Sequence, residues 1–189
     1  MQVANTHGLE IVHFSYSDEW LYYPNIDTGY RFILGTRGSR SLIVIGVNPS
    51  TATPESPDPT IKRVSAISAY NGFDSFVMLN LYAQRATVPE DLDIELNSEL
   101  HRENLKALKW ALNYAEKMNP EAEIAVWCAW GNIIKCRDYL PRCREEMLAE
   151  LRSKSAKLLC VSVTKEKQPK HPLYQKNTSK LIEWIPVQD

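Results

Sequence analysis

Four stretches of the chain are apolar almost without a break: Ser41–Gly46 and residues 76–81, 123–128 and 157–163. Runs of this kind, rich in Val, Ile and Leu, fit strands buried on both faces of a parallel sheet. Residues 30–34 alternate instead and read as a further strand. Arg37, Gly38, Ser39 and Arg40 follow it, and they predict a hairpin turn into Ser41–Gly46. Between the strands the period lengthens. Ile61, Val64, Ile67 and Tyr70 recur at helical spacing, which predicts a helix over 60–70 with Thr60 as its cap. Leu100, Leu105, Leu108 and Leu112 predict another over 97–118. Residues 131–139 and 141–153 read as two more, with Pro141 suited to a first helical turn. This rhythm predicts a three-layer α/β/α sandwich with a mainly parallel four-stranded sheet. Ligands of such sheets bind outside the carboxyl ends of the strands.

Composition narrows the picture. The 189 residues show no repeat and no linker-like shift, so one domain over 1–189 is expected. Lys and Arg total 22 against 23 Asp and Glu. That balance excludes a generic polybasic nucleic-acid binder, although a local basic patch remains open. No run approaches the ~18 apolar residues of a membrane span. Residues 1–10 lack a basic segment followed by an apolar one, so no secretory leader is read there. The four cysteines, Cys128, Cys136, Cys143 and Cys160, form no C-x-x-C pair. They read as reduced thiols of a cytoplasmic protein, with Cys128 and Cys160 inside strand-like runs. A zinc or iron–sulfur site would need tighter clustering, and no metal or cofactor is expected.

Four polar stretches each follow a predicted strand. In the first, Gly46 permits close backbone approach and Pro49 stiffens the turn that presents Asn48. An Asn there can orient a water or meet a base edge; an Asn-Pro turn can also simply end a strand. In the second, Asn80 sits within an apolar strand, where an amide needs partners. It can match a pyrimidine edge, which both donates and accepts, or satisfy local backbone. Arg85 beyond it reads as a phosphate anchor or an ordinary loop charge. In the third, Gly131 suits a tight strand-to-helix turn whose amides can hold a phosphate, and Trp130 reads as core ahead of a stacking platform. In the fourth, His171 lies in a polar loop beside Lys165, Lys167 and Lys170, followed by Tyr174. His7, His13 and His101 have no comparable setting. No G-x-S-x-G, H-E-x-x-H, Walker or G-x-G-x-x-G motif is present.

Together these stretches resemble two groups of proteins. The Asn48, Pro49, Ser50, Thr51, Ala52 run, the Asp58, Pro59, Thr60 run with Arg63, the Asn80 to Thr87 region, Ala129, Trp130, Gly131 and the His171 to Tyr174 run resemble the domain of unknown function 1643 family. That resemblance spans residues 30–174 and implies no established activity. More distantly, the chain is similar to the uracil-DNA glycosylase superfamily, especially its mismatch-specific uracil/thymine branch. Gly46 to Pro49 resembles the branch's Gly-Ile-Asn-Pro motif, whose Asn orients the attacking water. Leu79 and Asn80 resemble a Leu-Asn strand whose Asn reads the base. Arg85, Ala86 and Thr87 are similar to an Arg-Pro-Thr run. His171 and Pro172 resemble a His-Pro-Ser motif whose His stabilises the leaving base. Ser50 and Leu173 depart from that pattern, Leu173 standing where a phosphate-contacting Ser is usual.

The resemblance implies a glycosylase-like fold and a DNA glycosylase-like hydrolase that releases a modified or mismatched pyrimidine in base excision. Asn48 and His171 are then catalytic, and Asn80 reads the base. Ser50, Thr51 and the amides near Gly131 hold flanking phosphates. Tyr82 is a stacking candidate, as are Tyr70 and Phe73, and Tyr174 belongs to the binding set. Two alternatives stay open. One is a base, nucleotide or nucleic-acid binding protein that uses the same cleft without chemistry. The other is a hydrolase or transferase of free nucleosides or nucleotides, with Arg63, Arg85 and the Thr51 loop forming a phosphate pocket. The expected partner is DNA or a nucleotide and not a membrane. Asp58 and Arg63 are expected to pair and pin the loop before the first helix.

Overall fold

The computed structural model describes residues 17–24 and 28–186. Residues 1–10, with the leader reading made on them, lie outside the described residues, as do His7 and His13. The strands are β1 (Trp20–Tyr23), β2 (Ile33–Thr36), β3 (Ser41–Gly46), β4 (Ser75–Asn80), β5 (Ala125–Cys128), β6 (Lys157–Cys160) and β7 (Ile182–Glu183). The helices are α1 (Pro59–Tyr70), α2 (Ser98–Met118) and α3 (Leu140–Ser153). Short 3-10 turns cover Pro89–Asp91, Gly131–Cys136 and Pro172–Tyr174.

The sheet is larger than the four strands expected. It is a seven-stranded mixed sheet in the order β1-β2-β4-β3-β5-β6-β7. Its centre, β4-β3-β5-β6, is parallel, and those strands are the four apolar runs. The β1–β2 pair is added antiparallel on one side and β7 on the other. Two of the three flanking strands gave no signal. Trp20–Tyr23 lies in an irregular aromatic stretch, and Ile182–Glu183 is two exposed residues.

The hairpin expected at residues 37–40 is not formed. The strand β4 lies between β2 and β3, and Met78 is opposite Leu34 on one side and Val44 on the other. A strand as apolar as β3 needs a buried neighbour on each edge. Asp74, just before β4, fastens the 37–40 loop across the end of that strand. Its carboxylate accepts from Ser39 N at 3.0 Å, Ser39 Oγ at 2.7 Å and Arg40 N at 2.8 Å.

Side chains of successive strand residues point to opposite faces. Leu42, Val44, Phe76, Met78 and Trp127 therefore pack with Ile61, Val64 and Ile67 of α1. Ile43, Ile45, Val77, Leu79 and Val126 pack with residues of α2 and α3, such as Leu108, Leu112, Leu148 and Leu151. Helices thus cover both faces. The start of α1 is Pro59, and its cap is Asp58 rather than Thr60: Asp58 Oδ1 accepts from Ile61 N at 2.8 Å. Asn97 caps α2 in the same way. The helix expected over 131–139 is a 3-10 turn that begins at Gly131, whose φ is +60°. The thiols of Cys128, Cys143 and Cys160 are free and buried, and Cys136 is free and half-buried. Among the described residues, no helix is long and apolar enough to cross a membrane.

The cap assignment predicts a stability difference. Asp58→Ala is expected to cost about 1 kcal/mol. Thr60→Ala should cost clearly less, and urea unfolding of the two variants reads the difference.

Candidate functional site

Parallel strands end at a common edge, so the loops that follow β3, β4, β5 and β6 leave together. Asn48 follows β3, Asn80 ends β4, Gly131 follows β5 and His171 lies in the long segment after β6. Backbone bonds continue this edge past the strands, from Leu81 N to Gly46 O, Tyr82 N to Val47 O and Ala129 N to Ile45 O.

The side chain of Asn48 is oriented by its neighbours. Its Nδ2 donates to Pro49 O at 3.0 Å and to Ala86 O at 2.7 Å. Two carbonyl acceptors identify that atom as the amide nitrogen and use both of its hydrogens. The Oδ1 is left as the acceptor, with no protein donor among the described residues. The same two loops are joined by Ala86 N to Pro49 O at 2.9 Å and Arg85 Nη1 to Ser50 O at 2.6 Å. Ser50 Oγ lies 3.5 Å from Thr87 Oγ1, and Thr51 is exposed.

Asn80 is 1 % exposed, and among the described residues neither Oδ1 nor Nδ2 has a hydrogen-bond partner. A buried polar group left unpaired costs roughly 1–3 kcal/mol. Asn80 shares a face with Phe76 and Met78, the α1 face. Its amide leans across the end of β3 at Gly46, where an added Cβ would stand 2.8 Å from Asn80 Oδ1. Gly46 is therefore the residue that admits this amide. On the opposite face, Asn104 of α2 donates to Asn80 O at 2.8 Å and Leu81 O at 3.2 Å, which holds the strand end.

Gly131, His171 and Tyr174 share a pocket of about 410 Å³ with Asn132, Ile133 and Lys170. Gly131 N donates to Pro169 O at 2.7 Å, and a Cβ on Gly131 would touch the His171 backbone at 3.7 Å. Asn132, Thr164, Glu166 and Lys135 form a polar chain along the rim. His171 Nδ1 accepts from Leu173 N at 3.3 Å, so a neutral ring carries its proton on Nε2. Burial pushes the His171 pKa below 6.5, with the Asp58 carboxylate opposing, which keeps the ring neutral. The Tyr174 ring is 82 % exposed and lies 6.4 Å from the His171 ring. Trp130 is core, as expected, donating to Gln168 Oε1 and packing edge-on against Trp184.

Other predicted residues lie elsewhere. Tyr82 does not face the cleft: it is fully buried, its hydroxyl donates to Asp93 Oδ2 at 2.6 Å, and its ring meets Tyr139. Burial against that carboxylate raises its pKa. The expected Asp58–Arg63 pair is not formed. Asp58 caps α1, and half-buried Arg63 makes no hydrogen bond or ion pair among the described residues. Tyr70 and Phe73 lie at the far end of α1, with Phe73 beneath Arg40. A larger cavity of about 540 Å³ at that amino-terminal edge is lined by Phe73 but by none of Asn48, Asn80, Gly131 and His171. His101 is buried between α2 and α3, bonded to Glu146 at 2.9 Å. Arg31 and Tyr22 were missed. Arg31 is 3 % exposed and donates to Ala52 O at 2.8 Å, and Tyr22 OH accepts from Arg85 Nη2 at 2.6 Å. The only signal was a charge at the start of an apolar strand pattern.

Fold and site define an α/β protein with a polar site at the carboxyl edge of a parallel sheet core. A family model matches residues 31–173, and the chain belongs to that family, described as protein of unknown function (DUF1643). No curated protein and no solved structure matches the chain, so the glycosylase resemblance rests on motifs alone.

The His171 environment predicts a pH effect. The unfolded ring binds protons more readily than the folded one, so stability rises with pH through this group's range. Its contribution is complete above the unfolded pKa and is lost as pH falls below it. The His171 NMR titration should have its midpoint below 6.5. His171→Asn should lose less thermal stability than the wild type from about pH 7 to about pH 5.

Proposed function

We propose that the protein hydrolyses the N-glycosidic bond of a modified or mismatched pyrimidine in DNA. The observation that carries this reading is the Asn80 amide, buried beside Gly46 with neither atom partnered among the described residues. An amide offers one acceptor and one donor group, the pair a pyrimidine edge requires. The cost of burying it unpaired is offset when such an edge is bound.

Asn48 and His171 supply the chemistry in this reading. As the bond breaks, the sugar gains positive charge and the base leaves as an anion. Water attacks the sugar carbon, its proton is lost to solvent, and the bond electrons leave with the base. Asn48 Oδ1, an acceptor whose orientation is set by two backbone carbonyls, aligns the water. The neutral His171 ring donates from Nε2 to the departing base. Tyr174, exposed at the pocket rim, offers a face for stacking. Residues 164–180 hold five lysines against one glutamate, which supplies a local positive surface for phosphates despite the overall charge of -1.

Oligonucleotides carrying a panel of modified pyrimidines, followed by alkaline cleavage of abasic sites, test the reading. Wild type should release at least one base. Asn48→Ala should slow release about 100-fold or more with nearly unchanged DNA affinity. Asn80→Ala should blur the preference among bases, and His171→Ala should slow release while leaving that preference in place. Binding without release of any base would replace this reading with a non-catalytic one.

A further inference from the structure

We infer that Arg31 and Arg85 form a phosphate subsite beneath the loop of residues 49–58, beside Asn48. The two guanidinium groups converge on one backbone oxygen. Ala52 O accepts from Arg31 Nη1 at 2.8 Å and from Arg85 Nη1 at 3.5 Å. Arg85 also reaches Ser50 O and the Tyr22 hydroxyl, each at 2.6 Å. No carboxylate is hydrogen-bonded to either group among the described residues. The Nε of each is buried without an acceptor among the described residues.

Arg137 uses its guanidinium differently. Its Nε, Nη1 and Nη2 all donate to carbonyls, those of Glu90, Leu92, Asp93 and Cys136. Arg31 makes one such bond and is 3 % exposed. Two neighbouring cations with idle donors and no bonded counter-ion are costly in a dry setting. Burial and the Arg85 charge push the Arg31 pKa down to about 10, with Asp58 opposing. A phosphate answers each deficit: it carries the missing charge, and its oxygens match guanidinium forks. Ala52 O stands in for one of those oxygens in the unliganded chain, so phosphate binding would also free the loop that follows Asn48.

The inference rests on the nucleotide reading only for the larger molecule that carries the phosphate. Orthophosphate is titrated against the full chain at constant ionic strength, by thermal shift and calorimetry. It should raise the melting temperature where chloride does not. Arg31→Met and Arg85→Gln should each weaken orthophosphate at least tenfold, and exposed Arg152→Met should not. If Arg31→Met does not fold, half-buried Arg85→Gln carries the test. A pyrimidine nucleoside monophosphate that binds more tightly than its nucleoside, with the gain lost in the variants, assigns the phosphate to a free nucleotide. The same dependence seen with a single-stranded oligonucleotide instead assigns it to the strand. Phosphate affinity unchanged in Arg85→Gln, or no response of the wild type to orthophosphate, overturns the subsite. Phosphate binding without base release leaves the subsite standing and removes the hydrolase. Base release with no dependence on Arg31 and Arg85 does the reverse.

Discussion

The parallel register of β3 and β4, which sets Gly46 opposite Asn80, is the constraint on which the carboxyl edge depends. It places a strand-end amide against the one neighbour that has no side chain. The ladder then continues into the loops through Leu81 N and Tyr82 N, so the backbone leading to Asn48 leaves the sheet in a defined direction. Asn104 grips the end of β4 from the other face through two carbonyls. A buried Asn in the middle of α2 would be unfavourable on packing grounds alone. Its bonds to Asn80 O and Leu81 O give it a reason to be there.

Polar groups beneath this edge are handled in two ways. Tyr82, Tyr139 and Arg137 form a structural cluster around Asp93, in which Tyr82 donates to its carboxylate and Tyr139 and Arg137 donate to its backbone carbonyl. Asn80, Arg31 and Arg85 instead keep buried donors or acceptors idle among the described residues, and Asn104 does so at Oδ1 while its Nδ2 is bonded. The first pattern is what folding alone selects. The second raises the free energy of the fold, and a group that supplied the missing bonds would offset that cost. The idle groups of Asn80, Arg31 and Arg85 lie on the α1 side of the sheet, where the 49–58 loop and the segment carrying His171 also pack.

Much of the fold was legible because burial imposes a pattern on local sequence. A strand covered on both faces has to be apolar at nearly every position, and β3 is, with Ser41 at its start bonded to Ser75 Oγ. A helix covered on one face has to repeat near 3.6 residues, and Ile61, Val64 and Ile67 do. Pairing is a different matter. Nothing in residues 30–46 reveals that β4 will enter between β2 and β3, because the partner of a strand edge is chosen by the whole sheet. The two-residue β7 carries no pattern long enough to read. For the cap of α1, Asp58 and Thr60 are chemically similar, and the chain direction at Pro59 decided between them.

The candidate site divides along the same line. Sequence alone determined where these polar residues stand relative to the strands: Asn48 follows β3, Asn80 ends β4, Gly131 follows β5 and His171 lies after β6. Only tertiary structure decided what surrounds each one. Tyr82 and Tyr174 are both tyrosines in loop-like stretches, yet one is fully buried on Asp93 and the other is 82 % exposed beside His171. Arg63 was the plausible anchor, and Arg31 holds the buried position instead, reaching Ala52 across 21 residues of chain. Side-chain identity is a local property and can be read locally. Burial, neighbours and idle hydrogen bonds are properties of the packed whole, set by segments distant in the chain.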